Sequence, residues 1–176
     1  PIKNKPIQLS DGTILSPSST ETRTSEGLNW KAHIEKSSDN GKTWTKIPID
    51  PQTKFDVIQP SILVLGDGRL QILCRSRDNS VMQAFSQDNG ETWSQISRTA
   101  LPNPNSGTDA ITLSNGLHLL VYNPTVKGKN GRSKLSVALS KTGENWQEVL
   151  SLENEKKGEF SYPAVIESSD GKIHIS

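Results

Sequence analysis

The chain has 176 residues, of which 31% are hydrophobic and 22% charged, and its 20 basic and 19 acidic residues leave a net charge of +1. The interleaved charges exclude the clustered basic surface of a nucleic-acid-binding protein, and no run of about 18 apolar residues is present that would cross a membrane. A chain this poor in apolar residues, with 13 Gly and 10 Pro, favours short strands joined by polar turns within one domain.

Four segments along the chain combine an apolar, β-branched run with a hairpin turn that ends in glycine. The turn glycines follow one another at intervals of roughly 50 residues, and they are Gly12, Gly68, Gly116 and Gly171. Asp-Gly and Asn-Gly turns between such runs are strong hairpin signals. In the second repeat we predict strands at residues 61–65, 69–76, 81–86 and 92–97. The first two are nearly all apolar, which is typical of strands covered on both faces.

An eight-residue motif occurs twice, at residues 37–44 and 86–93, and both copies read S-x-D-x-G-x-T-W. The Asp can accept hydrogen bonds from backbone N–H groups downstream, the Gly can adopt positive φ, and the Trp offers a large apolar face. A shorter third copy at residues 140–146 has Thr142 in place of the Asp but keeps Trp146. We therefore predict a structural role for the motif, which would hold a hairpin against its neighbour.

Repeats of about 50 residues indicate one unit of several strands that stacks on its neighbours to bury a core. The motif resembles the Asp-box, which recurs in sialidase-like β-propellers. We predict an all-β chain with four-stranded sheets (blades) at about residues 1–50, 51–100 and 101–155 and the start of another at 156–176. A six-bladed propeller would need about twice this length. We therefore expect the chain to need the missing half of the propeller, or a partner chain, to cover its open face.

Longer phrases extend the resemblance over nearly all of the chain, including IQPSIL at 58–63, LCRSR at 73–77, PNPNSGTDA at 102–110 and FSYPAV at 160–165. They are similar to bacterial BNR-repeat proteins described as predicted neuraminidases, or sialidases. The resemblance implies a glycoside hydrolase acting on a terminal, acidic sugar. Sialidases also have an Arg-Ile-Pro signature, whereas the matching segments here read NKP, IQP and SYP. A polysaccharide lyase, another glycosidase and a non-catalytic glycan-binding propeller remain as alternatives.

The starts of the innermost strands of a propeller converge at one end of its axis, and the loops after the second strands surround that end. We expect Arg75 or Arg77 to bind a substrate carboxylate, because a guanidinium can donate to both oxygens. The two arginines are expected to face opposite sides of their strand, one towards the pocket and one towards a neighbouring blade. The other predicted substrate-binding residues are Lys5, Gln59, Asn105 and Ser106.

Three residues are candidates for catalysis. Asp109 stands where other repeats have proline, and a charge at the start of a buried strand is costly unless it is used or paired. Its alternative role is to cap the turn at 105–107. Glu21 is the candidate acid/base partner, unless it is a solvated loop residue. Tyr162 is the candidate tyrosine nucleophile of the kind that sialidases use, unless it is packed within an inner strand.

The remaining features predict neither a metal nor another cofactor. The three histidines are scattered along separate strands, without the spacing of a metal site. Cys74 lies in an apolar stretch and is expected to be buried. The basic, Gly/Asn-rich stretch 127–134 is expected to be a solvated loop. With a leader removed upstream, we expect a secreted or periplasmic protein of a bacterium.

Overall fold

The computed structural model describes residues 2–25, 27–128 and 130–176, which form strands and turns. Three sheets have four strands each, and in every sheet consecutive strands pair antiparallel. The strands are β1 (Ile7–Gln8), β2 (Ile14–Thr24), β3 (Gly27–Ser37) and β4 (Thr45–Pro48); β5 (Val57–Val64), β6 (Leu70–Ser76), β7 (Ser80–Ser86) and β8 (Ser97–Pro102); β9 (Asp109–Thr112), β10 (His118–Tyr122), β11 (Lys134–Ser140) and β12 (Gln147–Asn154); and the hairpin β13 (Val165–Glu167) and β14 (Ile173–Ile175). The predicted all-β architecture is confirmed: the chain is a partial β-propeller with three blades and the first hairpin of a fourth.

The blades stack face to face, and each interface is a separate hydrophobic core. Strand β6 is buried along its whole length, and its successive side chains point to opposite faces. Ile72 packs in the core shared with the first blade, whereas Leu73 packs in the core shared with the third. Cys74 is buried as predicted, and burial raises the pKa of its thiol. The near-continuous apolar sequence of β6 is therefore explained by blades on both sides.

The Asp-box motifs form the turns between the third and fourth strands, as predicted. In the first copy Asp39 accepts hydrogen bonds from the backbone N–H groups of Lys42 and Thr43 and from the Thr43 hydroxyl at 2.6 Å. These donors lower the pKa of Asp39 to about 2, and those of Thr92 do the same for Asp88. In the third copy the Thr142 hydroxyl accepts only longer bonds, of 3.3 and 3.4 Å.

Each box tryptophan donates its Nε1–H to the carbonyl of its box glycine. Trp93 packs against the core between the first and second blades, and Trp146 against the core between the second and third. Trp44 is 46% exposed, since no described blade precedes its own.

The predicted fourth strand of the second blade, at 92–97, is wrong, because β8 begins only at Ser97. Strand β8 begins later in the sequence than predicted because the box turn precedes it. Ser94 N still donates to Phe85 O, but Ile96 N donates to the carboxylate of Asp50 in the first blade, at 2.8 Å. Ile96 therefore binds the neighbouring blade instead of extending the sheet.

The hairpin turns after the innermost strands set the register between the blades. Gly12, Gly68, Gly116 and Gly171 each donate N–H to the residue three positions earlier: Leu9, Leu65, Leu113 and Ser168. In this register two layers of residues lie at or just before the starts of the inner strands. The upper layer consists of Lys3, Gln59, Gly107 and Tyr162, and the lower layer of Lys5, Ser61, Asp109 and Ala164. Thr108, and not Asp109, occupies the place of Pro60 and Pro163, so the predicted replacement of proline by Asp109 is wrong.

No helix long and apolar enough to cross a membrane occurs within residues 2–25, 27–128 and 130–176. Over the same residues, no three His, Cys, Asp or Glu side chains are grouped so that they could hold a metal ion.

Candidate functional site

Arg75, near the end of β6, is held by residues from the starts of three inner strands. Its Nε donates to Asn105 Oδ1 at 2.9 Å, and its Nη1 donates to the Tyr162 hydroxyl at 2.8 Å and to Gln59 Oε1 at 3.3 Å. The residue is only 7% exposed. Among the described residues, its Nη2 has no hydrogen-bond partner. The guanidinium is thus fixed in orientation while one of its nitrogens keeps its donors available.

All three partners of Arg75 have strained backbones. Gln59, Asn105 and Tyr162 have φ of 56°, 60° and 60°, in the left-handed region. Asn tolerates this region, whereas for a Gln or a bulky Tyr it costs about 1–2 kcal/mol. Strain of this kind persists where the surrounding structure imposes it, and it clusters at functional sites. Every hydrogen-bond partner of the buried Arg75 guanidinium has such a backbone. We therefore take the Arg75 cluster as the candidate site.

Trp30 lies beneath the cluster and contributes an aromatic face. The centroid of its ring is 5.1 Å from Arg75 Cζ, within the range of a cation–π interaction. Its Nε1 donates to Glu21 Oε2 at 3.1 Å, which brings the exposed Glu21 to the same region. Burial lowers the pKa of the Arg75 guanidinium; Tyr162 opposes this most, and Glu21 opposes it to a smaller extent. Arginine nevertheless keeps its charge in proteins.

The premise that Arg75 and Arg77 face opposite sides of one strand is wrong, because residues two apart on a strand share a face. Arg77 in fact follows the last residue of β6, Ser76, so the strand does not set its direction. Its Cζ lies 3.8 Å from the centroid of the Trp30 ring. Its Nη1 donates to Leu28 O at 2.7 Å and to Asp56 Oδ2 at 3.0 Å. Because Leu28 is in the first blade, Arg77 joins two blades, which was the expected role of one of the two arginines.

Arg132 was not among the predicted site residues. Its Nη2 donates to Asn105 O at 2.7 Å, its Nη1 is paired with Glu159 at 2.7 Å, and its Cζ lies 5.6 Å from the Tyr162 ring centroid. Asn105 therefore bridges two arginines, through its side chain to Arg75 and through its carbonyl to Arg132. The prediction of a solvated loop at 127–134 is wrong for this residue, the only arginine among the lysines of that stretch.

Asp109 lies at the propeller axis, in the layer below Arg75, and both of its carboxylate oxygens are occupied. Oδ2 is 2.7 Å from Lys5 Nζ and accepts from Val165 N at 2.9 Å. Oδ1 accepts from the Ser61 hydroxyl at 3.3 Å and from Ala110 N at 3.0 Å. Asp109 is 3% exposed. Its contacts thus join all four blades of the described chain, and neither oxygen is left for a substrate.

The turn before Asp109 is capped by another residue. Asn103 accepts from Ser106 N at 3.1 Å and donates to Ser106 O at 2.9 Å. Asp109 therefore does not have the alternative role of capping this turn. Ser106 is fully buried and its hydroxyl has no partner among the described residues, so it lies behind the site rather than in it.

Lys3 belongs to the upper layer, and its ammonium group reaches the carbonyls of residues between the two layers. Its Nζ donates to Thr108 O at 3.0 Å, Pro163 O at 2.8 Å and Asn4 Oδ1 at 3.0 Å. Burial lowers the pKa of Lys3 to about 8; Asp109 opposes this shift, and the positive charges of Lys5 and Arg75 add to it. The site thus contains three cations, Lys3, Arg75 and Arg132, of which Arg132 is paired with Glu159.

A cavity of about 530 Å³ lies elsewhere, bounded by Leu117, Leu139 and Trp146 of the third blade. Between the first and second blades, and again between the second and third, the box turn of the later blade covers strands of the earlier blade. A Cβ added to Gly90 would lie 3.0 Å from Leu15, and Gly143 packs on Gln71. The cavity is therefore an uncovered face between blades rather than a ligand pocket.

Comparison with known proteins places the chain in a family. A family model described as BNR repeat-like domain matches residues 1–175. An anhydrosialidase of Macrobdella decora is 26% identical over 161 residues, which are 79% of this chain and 20% of the relative. A sialidase of Paraclostridium sordellii is 33% identical over 91 residues, which are 49% of this chain and 21% of the relative. The chain thus spans about a fifth of the length of these relatives.

The solved structure of a Trypanosoma rangeli sialidase mutant displaying trans-sialidase activity superposes with a TM-score of 0.73 and 20% identity. The match covers 95% of this chain and 27% of that one. The comparison supports the propeller fold.

Proposed function

Because the chain belongs to the family of BNR repeat-like domain proteins, we propose that it is part of a sialidase-like glycoside hydrolase whose Arg75 binds the carboxylate of a terminal acidic sugar. The observation that carries this proposal is the hydrogen-bond pattern of Arg75. Three residues with strained backbones fix its guanidinium, and Nη2 has no partner among the described residues. Two curated relatives are a sialidase and an anhydrosialidase, whose names refer to an acidic sugar.

The available donors suit a carboxylate. Nη2 carries two N–H groups, and both can donate to a carboxylate. The Tyr162 hydroxyl accepts from Nη1 and remains available for the chemical step proposed below. Arg132 and Lys3 add positive charge around the same position. Charge-assisted hydrogen bonds of this kind are roughly twice as strong as neutral ones.

For hydrolysis, Tyr162 is the proposed nucleophile and Glu21 the proposed acid/base residue. Tyr162 is 46% exposed and next to Arg75, whose charge would stabilise a phenolate. Glu21 is exposed and lies on the same side, bonded to Trp30. Asp109 is not proposed as a catalytic residue, because its oxygens are occupied by Lys5 and by backbone and hydroxyl donors. Its proposed role is to hold the blades together.

A polysaccharide lyase is the second candidate, and the surroundings of Tyr162 favour it. Among the described residues, no carboxylate forms a hydrogen bond with the Tyr162 hydroxyl. The hydrogen-bond partner of this hydroxyl is Arg75 Nη1. Elimination from a uronate needs a base to remove the proton next to the carboxylate and a cation to neutralise that carboxylate. Tyr162 and Arg75 would provide these two groups.

The test measures turnover by the full-length parent protein on sialyllactose and on a uronate polymer. Release of free sialic acid supports the hydrolase, whereas an unsaturated product absorbing in the ultraviolet supports the lyase. Arg75→Lys should lower kcat/KM by about 100-fold or more. The control is Arg98→Lys, at an exposed arginine paired with Asp78. Sugar binding without turnover by the wild-type protein would instead indicate a glycan-binding propeller.

A further inference from the structure

We infer that Gly107 is a positioning residue for Arg75: its missing side chain lets three residues from other blades converge, and two of them, Gln59 and Tyr162, fix the guanidinium. The three residues are Lys3 of the first blade, Gln59 of the second and Tyr162 of the fourth. Gly107 belongs to the third blade and is buried among them. The consequence for ligand binding rests on the carboxylate site proposed above, whereas the consequence for the position of Arg75 does not.

The space around Gly107 is too tight for a Cβ unless a neighbouring side chain shifts. A Cβ built there would lie 2.9 Å from Lys3 Cε, 3.0 Å from Tyr162 Cδ1 and 3.1 Å from Gln59 Oε1. Real Cβ atoms essentially never approach a heavy atom closer than 3.0 Å. The φ of Gly107 lies outside the left-handed region, so alanine could adopt its backbone conformation. The requirement for glycine is therefore one of space alone.

All three neighbours hold hydrogen bonds that a shift would strain. The Lys3 ammonium donates to three acceptors, which use all of its hydrogens. Gln59 and Tyr162 both accept from Arg75 Nη1. The bond from Gln59, at 3.3 Å, is the longer of the two and would be lost first. A methyl group at Gly107 would thus displace a residue that holds Arg75, or the lysine beneath it.

The chain offers a matched control for this substitution. Gly66 also has φ outside the left-handed region, and a Cβ added there would meet nothing within 4 Å. Gly66→Ala therefore makes the same chemical change without the overlap. Both variants should be prepared in the full-length parent protein, and circular dichroism should show that each retains the wild-type fold.

The first measurement needs no ligand. Arg75 Nε donates to Asn105 Oδ1 from a buried position, so its N–H should give a slowly exchanging NMR signal. We expect Gly107→Ala to shift or lose this signal and Gly66→Ala to leave it unchanged. A wild-type signal in folded Gly107→Ala would overturn the inference.

The second measurement is affinity for two probes, N-acetylneuraminate and glucuronate. The probe of interest is the one that the wild-type protein binds. We expect Gly107→Ala to raise its Kd by about tenfold or more, which corresponds to 1.4 kcal/mol of binding free energy. Unchanged affinity would overturn the role in binding. If the Arg75 signal moves in Gly107→Ala but the wild-type protein binds neither probe, the positioning role stands and the proposed function fails.

A double variant covers the case in which Gly107→Ala does not fold. Lys3→Ala removes the closest overlap, so Lys3→Ala/Gly107→Ala has room for part of the new methyl group. The comparison is with Lys3→Ala alone, because neighbouring substitutions must be compared within a cycle. A further loss of the Arg75 signal in the double variant supports action through Gln59 and Tyr162. An Arg75 signal identical in the two variants would overturn the inference.

Discussion

Arg75 Nη1 donates a hydrogen bond of 2.8 Å to the Tyr162 hydroxyl, across 87 residues of sequence and from the second blade to the fourth. The bond joins the end of a second strand to the start of an innermost strand. Tyr162 has a positive φ and is 46% exposed. Under the proposed function, this exposure leaves the tyrosine accessible to a ligand beside the buried Arg75.

Tyr162→Phe removes the hydroxyl and keeps the aromatic ring, so it tests the hydroxyl alone. We expect turnover by the full-length protein to fall by about 100-fold or more, because the nucleophile or base is removed. Binding of the acidic sugar should weaken less, since Arg75 Nη2 remains. The control is Tyr122→Phe, at the only other tyrosine of the chain, which is buried between the second and third blades. Wild-type kcat in Tyr162→Phe would exclude a chemical role for the hydroxyl.

The Asp-boxes should make stability depend on pH in the acid range. The pKa values of Asp39 and Asp88 are lowered to about 2 by the hydroxyl and backbone donors of their turns, whereas the ordinary value is 3.8. A carboxylate with a depressed pKa contributes stability that is fully present above its unfolded value and is lost as pH falls through its folded value. The free energy of unfolding should therefore fall between about pH 4 and pH 2.

Urea unfolding at several pH values between 5 and 2 measures this loss. The comparison is with Asp39→Asn/Asp88→Asn, in which neither box carboxylate can titrate. The double variant should be less stable than wild type at pH 5, and its stability should fall less steeply below pH 4. Parallel curves for the two proteins would show that other carboxylates cause the acid sensitivity.

Much of the fold could be predicted because the same local signals recur along the chain. Each repeat places a glycine turn and a box at similar positions, and a blade that repeats must stack in one way. The convergence of Arg75 on Gln59, Asn105 and Tyr162 follows from this repetition, since all four are polar residues at strand starts or ends.

The rest of the site depends on tertiary packing. Proline was used as the register marker, which misplaced Asp109 by one residue; the hairpin hydrogen bonds set the register instead. A Gly/Asn-rich composition describes the 127–134 loop as polar but does not show that Arg132 folds back onto Asn105. Trp30 could have been noticed as the one tryptophan of four outside a box motif.

The degenerate third box keeps its glycine, Gly143, which packs closely against the second blade. Its φ is +78°, and an added Cβ would overlap Gln71 Oε1 and lie 2.9 Å from Leu65 Cδ2 in the second blade. Gly116 has a similar φ of +84° but nothing within 4 Å. Gly116→Ala should thus cost about 1 kcal/mol from the backbone alone. Gly143→Ala should cost about 2 kcal/mol more, because the two blades must separate. Equal losses in urea unfolding would contradict this contact between blades.

Asp109→Asn tests whether the axial carboxylate is structural or catalytic. The substitution leaves Lys5 without its counter-ion and puts an amide where Lys5 and Val165 donate to Oδ2. We expect a loss of about 2 kcal/mol or more in the free energy of unfolding, as for other buried ion pairs that lose one partner. The control, Asp67→Asn, affects an exposed pair with Arg69 and should cost less than about 1 kcal/mol.

Turnover of the folded Asp109→Asn protein, measured well below its unfolding temperature, then decides between the two roles. A structural Asp109 predicts a kcat close to that of wild type once the folded fraction is taken into account, because the Arg75 layer is held by its own hydrogen bonds. Wild-type stability combined with loss of turnover would restore Asp109 as the catalytic carboxylate. In that case Lys5 would have to leave Oδ2 when substrate binds.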